Sequence, residues 1–468
     1  MLHSVFAAAL VVVGDECVDA FESQRKSIGR AAKIYWQGQG TCPAGYFDLN
    51  ARSTKQSAEN LPETQQVKLK QHCYYIFTSG TTGMPKAASM THMRWVKSGI
   101  GMGRAAMRLT QEDVMYCPLP LYHNNALTVA FSSVVNSGAA LALTRKFSSS
   151  KFWGEVRGFG ATSFIYVGEL CRYLLSSPAQ ASDRENKVRV VIGNGIRPEI
   201  WDEFQCRFGI RHVCEFYGAS ESSLGFVNAF NFKRTAGFSP AGYAIVKFDP
   251  DAESPIKSSS GYLQRVTRGE SGLLLSEVTD KTPFDGYTDS KATEAKLLRN
   301  VFRHGDCWFN TGDLVRDMGF RHIAFVDRVG DTFRWKGENV ATTEVEGVIQ
   351  RFPGVAEAVV YGVSVPQSDG KAGMVAITLA EAEKFSTHAL YSLLREKLPS
   401  YAIPLFIRIQ AHQEATATFK IKKSDLKSAG YRCIGSDETV YVLSDRDNGY
   451  ELMTPALLKQ IEAGQVRL

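Results

Sequence analysis

The chain has 468 residues, of which 44% are hydrophobic and 22% charged, and this length predicts a globular protein with two or three domains. Its formal net charge of +6 is small, so composition gives no case for nucleic acid as a partner and mildly favours anionic ligands or membrane surfaces. The nine cysteines are scattered without a Cys-x-x-Cys pair, which argues against a disulfide framework and a zinc site. A reducing compartment is therefore expected.

The first apolar run, at residues 5–13, is shorter than the roughly 20 residues that a membrane-spanning helix needs. No Lys or Arg precedes this run, and Asp15 and Glu16 follow it closely. This setting predicts a buried strand or helix rather than a signal peptide. Any association of the protein with a membrane is expected to be peripheral.

A loop of hydroxyl groups, glycines and one lysine follows a β-branched and aromatic run at residues 74–77. Glycines let backbone amides approach an anion, hydroxyl groups add donors, and a lysine supplies a mobile charge. A Walker A loop would carry Ser or Thr directly after its lysine, where this chain has Ala87. The ordered arrangement favours a polyphosphate site over an ordinary surface turn. Its candidate residues are Thr78, Ser79, Gly80, Thr81, Thr82, Gly83 and Lys86.

The middle of the chain alternates between short apolar runs and segments with helical spacing. Runs at residues 141–143, 163–167 and 188–192 are strand candidates, and the pattern predicts βαβ units in an α/β fold. Short alternating strands between residues 250 and 275 predict a small barrel or an antiparallel sheet. The glycine-rich stretch at residues 99–103 lacks the leading strand and the third glycine spacing of a dinucleotide fingerprint, so that function is not predicted.

Residues 215–221, Glu-Phe-Tyr-Gly-Ala-Ser-Glu, form a second candidate functional block. The ring of Tyr217, next to a tight turn at Gly218, can flank a nucleotide base, and the Glu221 carboxylate can hold a magnesium ion. Taken alone, the block is better explained by a Tyr-Gly turn with a solvated glutamate. Together with the preceding hydroxyl-rich and glycine-rich loop, it favours a nucleotide site.

Two further motifs contribute opposite charges. Asp313 lies in the segment 309–314, Phe-Asn-Thr-Gly-Asp-Leu, and Arg328 lies in the segment 325–331. A carboxylate and a guanidinium that meet can hold the two hydroxyls of a ribose through charge-assisted hydrogen bonds. The alternative is that both side chains lie in unrelated surface turns.

After about residue 330 the pattern becomes that of a compact α+β unit. A helix at residues 344–349 precedes strands at residues 358–362 and 373–377. A last helix begins with Thr454 as its cap. The chain is therefore expected to be folded to its end.

These motifs together resemble one enzyme superfamily. The loop after residue 77 closely resembles the signature of the adenylate-forming (AMP-binding) superfamily, and residues 332–347 resemble that of the fatty-acid transport proteins and very-long-chain acyl-CoA synthetases. Phrases at residues 120–123, 168–175 and 193–197 are also typical of that family. The resemblance covers essentially the whole chain. It implies an α/β adenylate-forming enzyme fold, with a large N-terminal α/β domain, a small β-barrel subdomain within it, and a small mobile α+β C-terminal domain.

The resemblance also implies domain boundaries. The N-terminal AMP-binding domain would comprise residues 1–329 and the mobile C-terminal domain residues 330–468, with Gly330 at the hinge. Many relatives have Asp or Lys at the hinge, and glycine would ease a large change of φ and ψ there. Because family members carry a much longer segment before the residue equivalent to Thr78, the first domain is expected to be incomplete at its start.

The activity implied by the resemblance is activation of long or very-long-chain fatty acids to acyl-CoA through an acyl-AMP intermediate, with ATP, Mg²⁺ and coenzyme A. Catalytic roles fall to Lys86, Glu221 and Lys420, and Glu221 is also the metal ligand. The ATP or AMP ligands would be Thr78, Ser79, Gly80, Thr81, Thr82, Gly83, Gly195, Tyr217, Gly218, Ser220, Asp313 and Arg328. The acyl and coenzyme A pocket would include His123, Trp335, Lys336 and Gly337.

Two positions depart from the family pattern. Ser220 replaces a threonine and keeps the hydroxyl group, so its contact to the phosphate is expected to persist. Phe419 replaces the glycine that precedes Lys420 in many relatives, which leaves a solvated basic run as the alternative for that stretch. The resemblance places the protein inside the cell and on a membrane, at the endoplasmic reticulum, a lipid droplet or the peroxisome.

A second hypothesis is a truncated noncatalytic protein that binds or transports fatty acids and keeps its nucleotide-site residues as relics. Only chemistry would require the full set of nucleotide-site residues together, which argues against that hypothesis. An amino-acid adenylating domain is disfavoured, because no carrier-protein serine motif follows and residues 332–347 have the fatty-acid type. The set in question is Lys86, Glu221, Asp313, Arg328 and Lys420.

Overall fold

The structure is a computed structural model of the chain. It describes residues 8–27, 32–78, 86–218, 224–250, 252–280, 282, 284, 290–336, 338–366, 368, 370–380, 385–411, 423–433, 438–466 and 468. Within these ranges, no helix is both long and apolar enough to span a bilayer.

The N-terminal segment forms a small sheet of parallel strands. Its strands are β1 Leu10–Gly14, β2 Lys33–Gln37 and β3 Phe47–Asp48, paired in that order, and helices α1 Val18–Gln24 and α2 Leu49–Ser53 lie beside them. A strand in the first apolar run is thus confirmed. The predicted burial is found only at Val13 in β1. Leu10 and Val12 are 54% and 46% exposed.

An antiparallel hairpin leads into two packed helical segments. Thr78 lies opposite Lys86 where the hairpin strands pair. The first helix continues in wider, π-type turns over Gly99–Ala106, and a second π-type segment at Asn125–Phe131 precedes another α-helix. The regular elements are β4 His72–Thr78, β5 Lys86–Thr91, α3 His92–Ser98 and α4 Ser132–Ser137.

Gly99 and Gly103 let these two helical segments approach each other closely. A Cβ atom on Gly99 would lie 2.4 Å from the Ser132 carbonyl oxygen. A Cβ atom on Gly103 would lie 2.8 Å from the Cα atom of Ser133. The glycines therefore serve helix packing, in keeping with the rejection of a dinucleotide fingerprint at residues 99–103.

One large sheet occupies most of the chain between residues 114 and 328. Its strands are β6 Val114–Cys117, β7 Ala140–Leu143, β8 Ser163–Val167, β9 Val190–Asn194, β10 His212–Gly218, β11 Gly225–Val227, β12 Gly237–Phe238, β13 Tyr243–Val246, β16 Ser271–Glu277, β17 Leu297–Arg299, β18 Cys307–Gly319 and β19 His322–Arg328. Two short strands between them, β14 Phe248–Asp249 and β15 Ser254–Pro255, form a separate ribbon. The order across the large sheet is β13-β16-β18-β19-β12-β11-β10-β9-β8-β6-β7, with β17 paired to β18.

Strand direction changes within this sheet at β10. Strands β6 to β10 pair in parallel, and the pairs from β10 to β11 onward are antiparallel. The strands predicted in the middle of the chain correspond to β7, β8 and β9, so the α/β prediction is confirmed. The associated helices are α5 Ser149–Gly158, α6 Gly168–Ser176, α7 Trp201–Phe208 and α8 Ser290–Glu294. Short 3₁₀ turns span Asp15–Cys17, Arg25–Ser27, Pro62–Gln66 and Ala181–Arg184.

The C-terminal unit, here the described residues from Phe333 onward, has its own sheet and its own apolar core. A hairpin of β20 Phe333–Trp335 and β21 Glu338–Val340 precedes a five-stranded sheet in the order β22-β23-β24-β25-β26, with β22 Val355–Ser364, β23 Lys371–Leu379, β24 Phe406–Gln410, β25 Thr439–Asp445 and β26 Gly449–Leu452. Its helices are α9 Thr342–Ile349, α10 Thr387–Lys397, α11 Lys423–Ala429 and α12 Pro455–Glu462. The predicted cap of the last helix is confirmed, since Thr454 Oγ1 accepts the Leu457 N–H at 3.2 Å.

Candidate functional site

The candidate site lies where the sheet changes from parallel to antiparallel pairing. Tyr217 and Gly218 end β10, Asn194 ends the neighbouring β9, and Gly195 follows it directly. Ligands of open α/β sheets bind beyond the carboxyl ends of the parallel strands. Three of the predicted nucleotide residues, Gly195, Tyr217 and Gly218, therefore lie at the expected edge of the sheet.

A carboxylate held between a phenol and a guanidinium forms the centre of the site. The Tyr217 hydroxyl donates to Asp313 Oδ2 at 2.6 Å, and Arg328 Nε lies 3.3 Å from Asp313 Oδ1. Asp313 and Arg328 are directly paired across β18 and β19, which explains how a pair 15 residues apart in sequence meets. Asp313 is buried, whereas the Arg328 side chain is 49% exposed. The predicted acid–guanidinium pair is thus present, and the guanidinium of Arg328 is accessible to solvent.

A register shift in β18 just before Asp313 is held by Thr311. Thr311 Oγ1 accepts the Asp313 N–H at 3.1 Å and donates to the Leu274 carbonyl at 2.8 Å. Burial raises the pKa of the Tyr217 phenol well above its usual value, and the Asp313 carboxylate adds to that effect. Tyr217 therefore keeps its proton and acts as a donor to Asp313 near neutral pH.

Glu215 is a functional candidate to which the sequence reasoning gave no role. Its side chain is buried and accepts the N–H groups of Gly195 and Ile196 at 2.5 and 3.3 Å and the hydroxyl of Tyr166. Burial, partly offset by these three hydrogen bonds, raises the pKa of Glu215 to about 8. A carboxylate inside the apolar strand Val213–Phe216 was the available signal, because such a residue must have buried partners.

Gly195, the first residue after β9, requires the absence of a side chain. Gly195 has φ of +84°, a left-handed conformation that favours glycine. A Cβ atom on Gly168 would lie 1.6 Å from the Gly195 carbonyl oxygen, so the start of α6 meets the loop after β9 backbone to backbone. Asn125 Nδ2 donates to Asn194 Oδ1 at 2.6 Å and holds the end of β9. The backbone after β9 is therefore held from two sides, by Asn125 and by Glu215.

The described residues of the predicted acyl and coenzyme A pocket lie before the second π-type segment and in the C-terminal unit. His123 is half-buried in the turn before the second π-type segment, and its Nδ1 accepts the Asn125 N–H at 3.3 Å. The Trp335 ring is buried in the core of the C-terminal unit, so core neighbours surround it in this arrangement. Lys336 is exposed, has φ of +51°, and donates to the Leu468 carbonyl at 2.9 Å. Their roles in acyl or coenzyme A binding stay predictions.

The hinge candidate Gly330 is held by a lysine of the C-terminal unit. It has φ of +87°, and a Cβ atom added there would meet nothing within 4 Å. Lys427 Nζ, on α11, donates to the Gly330 carbonyl at 2.7 Å and to Asp331 Oδ1 at 2.8 Å. The backbone conformation fits the predicted hinge, whose motion stays a prediction.

Several predicted residues lie outside the described ranges, and their roles stay predictions. For Thr78 and Lys86 only the backbone is described, at the facing ends of β4 and β5. Among the described residues, no three His, Cys, Asp or Glu side chains are grouped so that they could hold a metal ion. The residues outside the description are Ser79, Gly80, Thr81, Thr82, Gly83, Ser220, Glu221, Gly337 and Lys420.

Comparison with known sequences gives matches along most of the chain. The family described as AMP-binding enzyme matches residues 4–274, and the family described as AMP-binding enzyme C-terminal domain matches residues 344–420. The chain is 52% identical over 405 residues to the medium/long-chain-fatty-acid–CoA ligase FadD6 of Mycobacterium tuberculosis, covering 86% of this chain and 67% of that protein. It is 38% identical over 470 residues to long-chain fatty acid transport protein 6 of Mus musculus, covering 98% of this chain and 75% of the relative.

Solved structures confirm the fold. The anthranilate CoA ligase AuaEII in complex with anthranoyl-AMP superposes with a TM-score of 0.74 at 20% identity, covering 92% of this chain and 79% of that one. ATP-bound MatB from Rhodopseudomonas palustris gives a TM-score of 0.73 at 20% identity, with 92% and 80% covered. The predicted adenylate-forming enzyme fold is therefore confirmed.

Proposed function

Because this chain belongs to the AMP-binding enzyme family, we propose that it is a fatty-acid–CoA ligase that activates long or very-long-chain fatty acids with ATP. The identity to FadD6 and to a long-chain fatty acid transport protein supports this substrate class. The proposal includes a division into residues 1–329, which bind ATP and the acyl chain, and a mobile domain at 330–468. It also includes a share in fatty-acid uptake and a peripheral association with intracellular membranes.

The observation that carries the proposal is the held carboxylate of Asp313. Its Oδ2 accepts the Tyr217 hydroxyl and its Oδ1 faces Arg328, so the group is fixed before a ligand arrives. A ribose presents two neighbouring hydroxyl donors, which a fixed carboxylate accepts, while a half-exposed guanidinium donates to the sugar oxygens. We assign the base to the space beside Gly195 and Tyr217.

In the first half-reaction, an oxygen of the fatty carboxylate attacks the α-phosphorus of ATP. The bond from that phosphorus to the bridging oxygen breaks, so acyl-AMP forms and pyrophosphate leaves. We assign phosphate binding to the loop from Thr78 to Gly83 and to Lys86, and contact with the carboxylate and α-phosphate to Lys420. These groups act by position and charge, without a covalent enzyme intermediate. Glu221 is the proposed ligand of a Mg²⁺ ion, which when bound neutralises phosphate charge.

In the second half-reaction, the sulfur of coenzyme A attacks the acyl carbonyl carbon. The bond from that carbon to the AMP oxygen breaks, AMP leaves, and the thiol proton passes to solvent. We propose that the C-terminal domain first turns about Gly330 and brings the segment from Trp335 to Gly337 towards the pantetheine. At φ of +87° and with open space around it, Gly330 can change its dihedral angles without a side-chain clash.

The proposal is tested by incubating the protein with ATP, Mg²⁺, coenzyme A and fatty acids of graded chain length. Pyrophosphate and AMP are quantified enzymatically and acyl-CoA by mass spectrometry. Equal amounts of the three products, dependent on the fatty acid and greatest with long chains, are expected. Fatty-acid binding without pyrophosphate release would contradict the ligase proposal and favour the noncatalytic binding or transport protein.

A further inference from the structure

Arg197 connects the candidate nucleotide loop to the C-terminal unit. It lies two residues after Gly195, and its Nη2 lies 3.3 Å from Glu346 Oε2, on α9. The two residues are 149 positions apart in the chain. The contact therefore links the parallel part of the large sheet to the unit proposed to move.

Glu346 has a second cationic partner within its own unit. Lys423 Nζ lies 3.0 Å from Glu346 Oε1, which also accepts the Val360 N–H at 2.9 Å. Although burial lowers it, Glu346 and then Asp327 raise the pKa of Lys423 above its usual value, so the lysine stays charged. When Arg197 leaves, Glu346 is still neutralised and hydrogen-bonded. The Arg197 contact can thus be broken without leaving a bare buried carboxylate.

The Arg197 guanidinium is incompletely satisfied in this arrangement. Its Nη1 atom is buried and has no hydrogen-bond partner among the residues that the structure describes. Its Nη2 atom lies 3.7 Å from Glu169 Oε1 in addition to the contact with Glu346. A buried donor without a partner makes a contact less favourable than a fully paired one. This is the property expected of a contact that must be made and broken.

The backbone just before Arg197 is fixed by strand β10. Glu215, on β10, accepts the N–H groups of Gly195 and Ile196. Ile196, whose N–H is held by Glu215, therefore directly precedes Arg197, whose side chain reaches Glu346. A ligand that shifts the Gly195 backbone, which would flank the base, would shift Arg197 with it.

We propose that Arg197 is a positioning residue that couples occupancy of the nucleotide site to the docking of the C-terminal unit. The inference rests on the proposed function, because it assumes that a nucleotide binds beside Gly195 and that the unit has two orientations. In the described orientation Arg197 holds Glu346. In the other orientation, Lys423 is the only cationic partner of Glu346. In this proposal Arg197 acts through the orientation of the unit.

Arg172 offers a matched control at the same interface. Its Nη1 donates to the Ala356 carbonyl at 2.6 Å and its Nη2 to Glu357 Oε1 at 3.2 Å, both at β22. Arg172 lies on α6, in a different segment from the loop after β9. Loss of Arg172 therefore weakens docking and releases Glu169, which Arg172 contacts at 2.7 Å, but it leaves the Arg197–Glu346 contact in place.

The test is amide hydrogen exchange of α9, Thr342–Ile349, in the full chain, with and without a saturating ATP analogue whose α,β-bridge is methylene. The wild type and Arg172→Ala should each show a nucleotide-dependent change in exchange rate of roughly fivefold or more, the lower end of typical coupling between sites. Arg197→Ala should show less than a twofold change at the same occupancy, which is checked by titration of the analogue. Arg197→Lys should recover part of the response.

A response of Arg197→Ala equal to that of the wild type would overturn the inference, as would a wild type that binds the analogue without any change in α9. If Arg197→Ala does not fold, Arg197→Gln, which keeps the length and a donor, takes its place under the same criteria. Pyrophosphate release by the same wild-type preparation is measured separately. Its absence alongside an intact exchange response would remove the ligase proposal and leave the coupling by Arg197 standing.

Discussion

Two acid–base pairs of similar chemistry occupy different settings in this molecule. In the Asp313–Arg328 pair the carboxylate is buried and the arginine side chain is 49% exposed. In the Glu346–Lys423 pair both partners are largely enclosed, with side-chain exposures of 6% and 20%. The first pair keeps a cation at the surface, where a ligand can reach it. The second is closed by Thr342 and the Val360 N–H, which makes it a structural anchor.

The difference comes from the elements that carry the two pairs. Asp313 and Arg328 face each other across neighbouring strands at the edge where the parallel strands end. Glu346 and Lys423 lie on helices α9 and α11, which pack over the core of the C-terminal unit. Charge alone does not identify a ligand site. The accessible cation beside a fixed carboxylate is the distinguishing feature.

The largest effect is expected for Glu346→Ala. This change leaves the ammonium of Lys423 enclosed without its nearest carboxylate, so the free energy of unfolding should fall by about 3–5 kcal/mol. Glu344 is the control on the same helix, because its side chain is 65% exposed and lies 3.6 Å from Arg316. Glu344→Ala should cost less than about 1 kcal/mol. Urea unfolding followed by circular dichroism measures both, and equal losses would contradict the enclosed-anchor interpretation.

A second effect concerns pH and Glu215. Its pKa is raised from 4.5 to about 8 in the folded state, mainly by burial. The stability it contributes is therefore fully present below pH 4.5 and is lost as the pH rises through about 8. Glu215→Gln stays neutral and keeps an acceptor for the Gly195 N–H, so it should match the wild type at pH 5 and exceed it by roughly 1–3 kcal/mol at pH 9. The free energy of unfolding of both proteins is measured at the two pH values. If the variant matches the wild type at pH 9 as well as at pH 5, ionisation of Glu215 does not destabilise the folded state and the prediction is wrong.

The smallest effect on stability is expected at the hinge. Gly330→Ala places a side chain at φ of +87° in open space, so it costs only backbone strain of about 1–2 kcal/mol. Gly261 is a matched control, with φ of +83° and nothing within 4 Å of an added Cβ atom. Both variants should lose similar stability, but only Gly330→Ala should change the ratio of the two half-reaction rates in single-turnover assays. An unchanged ratio would argue against Gly330 as the hinge.

The structural features that could be predicted from the sequence are those encoded by residues close together in the chain. The Thr454 cap and the strands β7 to β9 were predictable because caps and apolar runs are written in neighbouring residues. Asp313 and Arg328 were paired correctly because resemblance supplied the partner. No local pattern encodes the contact of Arg197 with Glu346, which depends on how two separately folded sheets dock. The role of Glu215 became visible only when the loop after β9 was seen to donate to it.

The central claim is that the Asp313–Arg328 pair holds the ribose of ATP in a fatty-acid–CoA ligase. The most direct measurement is fatty-acid-dependent pyrophosphate release with ATP and with 2′,3′-dideoxy-ATP, in the wild type and in Asp313→Ala, with thermal melts confirming that the variant is folded. The wild type should favour ATP in kcat/KM by about 10²-fold or more, since a site built to bind hydroxyls strongly rejects a ligand that lacks them. The ratio should fall towards one in Asp313→Ala. An unchanged preference for ATP in that variant would contradict the account.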